Sequence, residues 1–121
     1  MEKKKILIIE DDKAISRVLE LKLQSAGFLI EAVYDGRAAL EAIAHDGYAA
    51  ILLDLILPDV DGFKVLETFR SKDTVTPIVV LSNLQQEEDR KRVEQFGVSG
   101  YYVKSQTSLQ QITEFLTSLL A

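Results

Sequence analysis

Ile51-Leu52-Leu53-Asp54-Leu55-Ile56-Leu57-Pro58-Asp59-Val60-Asp61-Gly62 is the stretch whose reading decides the fold. Apolar strand formers run up to Asp54, and Pro58, Asp59 and Gly62 mark a turn soon afterwards. One carboxylate therefore stands at the C-terminal end of what reads as a fully buried strand. In an open parallel α/β sheet, ligands bind in the crevice outside the carboxyl ends of the strands, so Asp54 occupies the place where such a sheet keeps its chemistry. A solvated turn aspartate is the competing reading. The residues that converge on Asp54 from elsewhere in the chain decide between the two.

Working outward, the apolar runs at 6–9, 28–34, 78–81 and 98–103 repeat the pattern of 51–54, and amphipathic stretches separate them. Ile15, Val18, Leu19, Leu23 and Ala26 recur at helical spacing, with Gly27 placed as a C-cap. Asp35-Gly36 turns the chain into a short helix over 38–43, and Gly47 closes that segment. Phe63, Val65, Leu66 and Phe69 outline a helix that ends near Ser71, and Pro77 sits where a strand tolerates proline, at its start. The helix over 85–96 is unusually polar, with Val93 and Phe96 as its strong anchors. Glu87 and Lys91, like Glu88 and Arg92, are spaced to meet on one of its faces. Ser108 and Gln111 form a capping-box pattern ahead of an amphipathic last helix. Five strand and helix pairs alternate, the signature of a doubly wound five-stranded parallel sheet with helices on both faces.

A chain of 121 residues fits one domain, 1–121, without linker or repeat. With no cysteine, thiolate metal sites and thiol nucleophiles are excluded. The net charge of -5 argues against direct nucleic-acid binding, because phosphate contacts need a basic patch. The only basic run, Lys3-Lys4-Lys5, reads as a solubilising flank. No apolar run suits a membrane span or a signal peptide, so no membrane is expected and the cytoplasm is the expected location.

Glu10 and Asp11 follow the first strand, Asp54 ends the third, Ser82 follows the fourth and Lys104 the fifth. In a doubly wound sheet these ends share one edge, so the five residues meet in one crevice. Clustered carboxylates repel unless a cation intervenes. An oxygen-rich acidic site suits Mg²⁺, which takes one or two carboxylates and completes its shell with water and phosphate oxygens. Beside such an ion a carboxylate can attack phosphorus and form an aspartyl phosphate. Lys104 would neutralise the transferred group and Ser82 would hydrogen-bond one of its oxygens. The single histidine, His45, falls near the end of the second helix, away from this edge, and reads as a surface residue.

The segments Ile-Leu-Ile-Ile-Glu-Asp-Asp at 6–12, Leu-Leu-Asp-Leu-Ile-Leu-Pro-Asp-Val-Asp-Gly at 52–62, Val-Leu-Ser-Asn at 80–83 and Gly-Tyr-Tyr-Val-Lys at 100–104 together resemble the receiver domain of two-component response regulators. That resemblance implies a flavodoxin-like sheet of order 2-1-3-4-5 and a phosphoryl group received from a sensor histidine kinase or a phosphotransfer protein. By the same likeness Asp54 is the acceptor. Asp11, Asp54 and the backbone carbonyl of Ile56 bind Mg²⁺, Glu10 assists through water, and Ser82 and Lys104 hold the phosphoryl group. The domain would not be an enzyme in its own right, but would take part in its own phosphorylation and dephosphorylation. Ser82 and Tyr101 match the family's switch pair; an ordinary strand aromatic with an exposed hydroxyl is the other reading of Tyr101. The switch would alter the face made by the fourth helix, last strand and last helix. That face would bind an output protein or effector domain, or a second copy of the chain in a phosphorylation-dependent homodimer.

Two features set this chain apart. Ser105 stands where most of the family has proline after the lysine. Because a cis bond before a non-proline residue costs about 2.5–4 kcal/mol, a trans Lys104–Ser105 peptide with a rearranged loop is expected. Ile56 and Leu84 are apolar at positions where the attacking water approaches an acyl phosphate, so slow autodephosphorylation is expected. A haloacid-dehalogenase-type phosphatase is a rival reading, but that family needs an aspartate where this chain has Ile56. A phosphorylation-independent pseudo-receiver is another, favoured by loss of Asp54, Asp11 or Lys104, and all three are present.

Overall fold

The computed structural model describes residues 3–84 and 86–121. Along the chain run β1 (Lys5–Ile9), α1 (Lys13–Ser25), β2 (Leu29–Val33), α2 (Gly36–Ala42), β3 (Ala50–Leu53) and α3 (Gly62–Lys72). They are followed by β4 (Ile78–Ser82), α4 (Glu87–Glu94), β5 (Gly100–Val103), a 3-10 turn at Lys104–Gln106, and α5 (Leu109–Leu119). The strands form one parallel sheet in the order β2-β1-β3-β4-β5.

Strand periodicity divides the core into two layers. Ile6 and Ile8 of β1, Leu52 of β3 and Val79 and Leu81 of β4 point to one face, where Leu19 and Leu23 of α1 and Ile112 and Leu116 of α5 cover them. Leu7, Ile9, Leu53, Ile78 and Val80 point to the other, against Ala39 of α2, Phe63, Leu66 and Phe69 of α3 and Val93 of α4. Strands buried on both sides are nearly continuous in apolar residues, which is why they were conspicuous in the sequence.

Several boundaries differ from the expectation, each for a tertiary reason. Helix α2 begins at Gly36, ahead of the expected Ala38. Asp35 caps it by accepting from Ala38 N–H, and the Asp59 carboxylate from the β3–α3 loop accepts from Gly36 and Arg37 N–H at 2.7 and 3.0 Å. A side chain at Gly36 would collide with Val60, so this junction admits only glycine. Strand β5 starts at Gly100, later than the expected 98, because Gly97 takes a positive φ of 64° and Ser99 N–H still closes a loop onto Ile78. Helix α4 spans Glu87–Glu94; the expected start at Gln85 lies outside the described residues.

Neither expected glutamate–cation pair of α4 forms an ion pair among the described residues. Arg92 lies over the Phe63 ring at 3.9 Å and Arg90 over Tyr101 at 5.0 Å, so these cations seat the helix on aromatic faces. At the far end of α4 the Arg70 guanidinium donates to the carbonyls of Phe96, Gly97, Asp73 and Thr76. The capping box at Ser108 and Gln111 has both of its hydrogen bonds. Among the described residues no helix is long and apolar enough to cross a membrane.

Candidate functional site

Parallel register carries three strand ends to one edge: Ile9 pairs with Leu53, Leu53 with Val80, and Ser82 with Val103. Glu10, Asp54 and Lys104 are the next residues along β1, β3 and β5. Asp54 N–H donates to Ile9 C=O at 2.9 Å, which fixes the base of that side chain against the neighbouring strand. The turn that follows is equally constrained. Gly62 N–H donates to Leu55 C=O, and a Cβ on Gly62 would lie 2.3 Å from that oxygen, so α3 starts against the loop that carries Asp54.

The Lys104 ammonium bridges two carboxylates, 2.5 Å from Glu10 Oε1 and 2.7 Å from Asp54 Oδ2. The remaining oxygens are also engaged: Asp54 Oδ1 accepts from Ile56 N–H and Glu10 Oε2 from Asp12 N–H, both at 3.0 Å. Glu10 and Asp54 are only 2% and 4% exposed. Burial raises the Glu10 carboxyl well above the usual carboxylate range, and the nearby Asp54 charge adds to this against the hydrogen bonds from Lys104 and Asp12. Burial alone would lower the Lys104 ammonium; its hydrogen bonds to Asp54 and Glu10, and their charges, outweigh this and raise it. The lysine is therefore a firmly charged counterion.

Glu10, exposed Asp11 and Asp54 each offer one oxygen within 4.8 Å of the others. That is a hard, all-oxygen donor set, fitted to a divalent cation of the Mg²⁺ class. Ser82 is fully buried, and its hydroxyl oxygen is the one buried side-chain polar atom without a partner among the described residues. A buried hydroxyl left without a partner costs stability unless a bound group supplies one. Ile56 stands at the mouth, 50% exposed. Glu10, Asp11, Asp54, Ser82 and Lys104 thus share one sheet edge, with Tyr101 three residues before Lys104 on β5. Its ring is half-buried under Arg90 and its hydroxyl donates to Leu84 C=O, so that hydroxyl is not free.

Lys104–Ser105 is trans, as no peptide among the described residues is cis. The rearranged loop is the 3-10 turn, and Ser105 N–H donates to Asn83 Oδ1 at 3.0 Å. Helix α1 is capped by Asp12, which accepts from Ala14 and Ile15 N–H. His45 is exposed and lies beyond α2. Sequence reasoning passed over Asn83 and Asp59, since both bond to segments distant in the chain.

A protein-family model described as the response regulator receiver domain matches residues 6–117. The transcriptional regulatory protein HprR of Escherichia coli K12 is 39% identical over 100 residues, which is 83% of this chain and 44% of that protein. The chain spans less than half the length of the curated relatives it matches. A CheY-like response regulator receiver domain protein from Methanospirillum hungatei JF-1 shares the fold, with a TM-score of 0.91 at 23% identity, over 98% of this chain and 94% of that one. The phosphorylated cyanobacterial phytochrome response regulator RcpA is similar at 30% identity and a TM-score of 0.81, over 98% of this chain and 91% of that one. An order of β2-β1-β3-β4-β5 with acidic residues at the central strand ends and a lysine after the last agrees with that match, and the chain belongs to the response regulator receiver domain family.

Proposed function

We propose that the chain accepts a phosphoryl group on Asp54 from the phosphohistidine of a sensor kinase or phosphotransfer protein. The observation that carries this reading is the half-buried Lys104 ammonium held between Asp54 and Glu10, beside a buried Ser82 hydroxyl that lacks a partner. An Asp54 oxygen attacks phosphorus and forms the O–P bond. The N–P bond breaks, and its electron pair returns to the donor imidazole, which takes up a proton as it leaves. Lys104 neutralises charge on the transferred oxygens, and Ser82 gives its free hydroxyl hydrogen to one of them.

With all three carboxylates ionised, they and the one ammonium carry a net charge of -2, which matches one divalent cation. Mg²⁺ held by Asp11, Asp54 and the Ile56 carbonyl, with Glu10 acting through water, would supply the remaining neutralisation of the phosphoryl oxygens. Ser82 turning toward the phosphoryl group would change what surrounds Tyr101 and Leu84, and so bias α4, β5 and α5. Their joint face is the proposed surface for an output protein, an effector domain or a second copy of the chain, with the domain working in the cytoplasm. The polar α4, with Val93 its one buried residue, suits a segment that shifts at low cost.

Incubation with acetyl phosphate and Mg²⁺, followed by intact mass, tests the reading. Wild type gains about 80 Da, one phosphoryl group, and Asp54→Ala gains nothing. A gain in both proteins would move the acceptor elsewhere.

A further inference from the structure

Lys104 performs a demanding task from a weak position. Strand β5 is at the edge of the sheet, so β4 alone supports it in the hydrogen-bonding direction. From just beyond that edge strand the lysine side chain spans β4 to reach Asp54 and Glu10 at the ends of β3 and β1. The last paired residues of the β4–β5 ladder are Ser82 and Val103, and past them the ladder provides no further tie. A flexible four-carbon stem holds its ammonium only as well as its Cα is held.

The next tie comes from a side chain. Asn83 follows Ser82, and its Oδ1 accepts from the N–H of Ser105, which follows Lys104. A backbone N–H only donates, so the Asn83 atom facing it must be the carbonyl oxygen, and the orientation of the amide is determined. The bond exists because Ser105 retains an N–H; proline at that position would have none. On the other side of the turn, Thr107 Oγ1 donates to Val103 C=O at 2.9 Å and Thr107 N–H to Lys104 C=O. The backbone of Lys104 is thereby pinned between β4 and its own 3-10 turn.

We infer that Asn83 is a positioning residue for phosphoryl transfer: by accepting from Ser105 N–H it extends the β4–β5 ladder one step and fixes the Lys104 backbone, so that the ammonium meets the group arriving at Asp54. The inference deepens the proposed function and rests on it. Asn83 acts through Lys104 and need not touch the phosphoryl group. Because its side chain is exposed, removing it leaves the core intact.

The test compares variants of Asn83 with acetyl phosphate and Mg²⁺, read as the rate of Asp54 phosphorylation by intact mass. Asn83→Ala is expected to slow phosphorylation about two- to tenfold, the range that one neutral hydrogen bond spans, with the half-saturating acetyl phosphate concentration unchanged. Asn83→Asp keeps a side-chain acceptor for the Ser105 N–H and should retain most of the wild-type rate. Hydrogen exchange at the Ser105 amide should quicken in Asn83→Ala while exchange in the central strands stays as in wild type. An Asn83→Ala rate equal to wild type, or an Asn83→Asp rate as slow as that of Asn83→Ala, would overturn the positioning role alone. A wild type that gains no phosphoryl group overturns the acceptor reading and this inference with it.

Discussion

Replacing Lys104 with methionine keeps most of the stem and deletes the charge that two buried carboxylates share. Glu10 and Asp54 are almost fully buried, and both lie within salt-bridge distance of the ammonium. Removing one partner from a buried ion pair costs about 3–5 kcal/mol, because the charge left behind is neither solvated nor paired. The lower end applies here, since exposed Asp11 lets water approach and Glu10 can relieve the repulsion by taking up a proton. We expect a loss of about 3 kcal/mol at neutral pH, equivalent to roughly 10 °C in Tm for a domain of this size.

The pH dependence has a definite sign. With the ammonium gone, the folded-state pKa of Glu10 rises further above its ordinary 4.5. A raised acid leaves the variant most stable below the unfolded value and costs it stability as pH rises through the folded value. Urea unfolding followed by circular dichroism, in chelator, at about pH 5 and about pH 7.5, reads both quantities. The deficit against wild type should shrink at the lower pH, and millimolar Mg²⁺ should restore part of it at the higher one. A deficit below about 0.5 kcal/mol at the higher pH, or one that ignores pH, would refute the counterion argument.

Ile56→Asn combined with Leu84→Glu should shorten the lifetime of the phosphoryl group by tenfold or more, as polar groups at the mouth orient water that apolar ones cannot; an unchanged decay of the phosphorylated mass would count against it. Arg70→Ala deprives four backbone carbonyls of one donor and should cost about 2 kcal/mol, with hydrogen exchange accelerating in α4 and its C-terminal loop but not in β1 or β3. Burial works against ionisation of Glu31, but hydrogen bonds from Lys5 and Tyr48 hold it below its ordinary value, so its contribution is present above about pH 4.5 and lost as pH falls. The melting temperatures of Glu31→Gln and wild type should therefore converge in acid and separate towards neutrality.

The sheet was legible because parallel strands covered on both faces read as continuous apolar runs, and 6–9, 51–54 and 78–81 need no partner to be recognised. The positions of Glu10, Asp54, Ser82 and Lys104 were legible for a related reason: each ends or directly follows such a run, so locating the strands located the side chains. What the sequence withheld depends on pairings between distant segments. The start of α2 at Gly36 needs the carboxylate of Asp59, from another loop. Arg92 looks like a partner for Glu88 at helical spacing, yet it rests on the Phe63 ring of a neighbouring helix. Ser105 announced a departure at the fifth strand, but nothing local to it indicates that Asn83 would accept its N–H.

The strand order also bears on how the chain matures. Strand β1 lies between β2 and β3, and β5 joins only through β4, so Lys104 meets Glu10 only after the intervening strands have docked in register. Such non-local closure comes late in folding, because its loop entropy must be met before the contact forms. A chain missing any of these pairings lacks its counterion, and Asp54 is then an ordinary exposed acid. The Lys104–Glu10 contact thus reports that β1, β3, β4 and β5 are in register, whereas β2, on the outer side of β1, has no part in it.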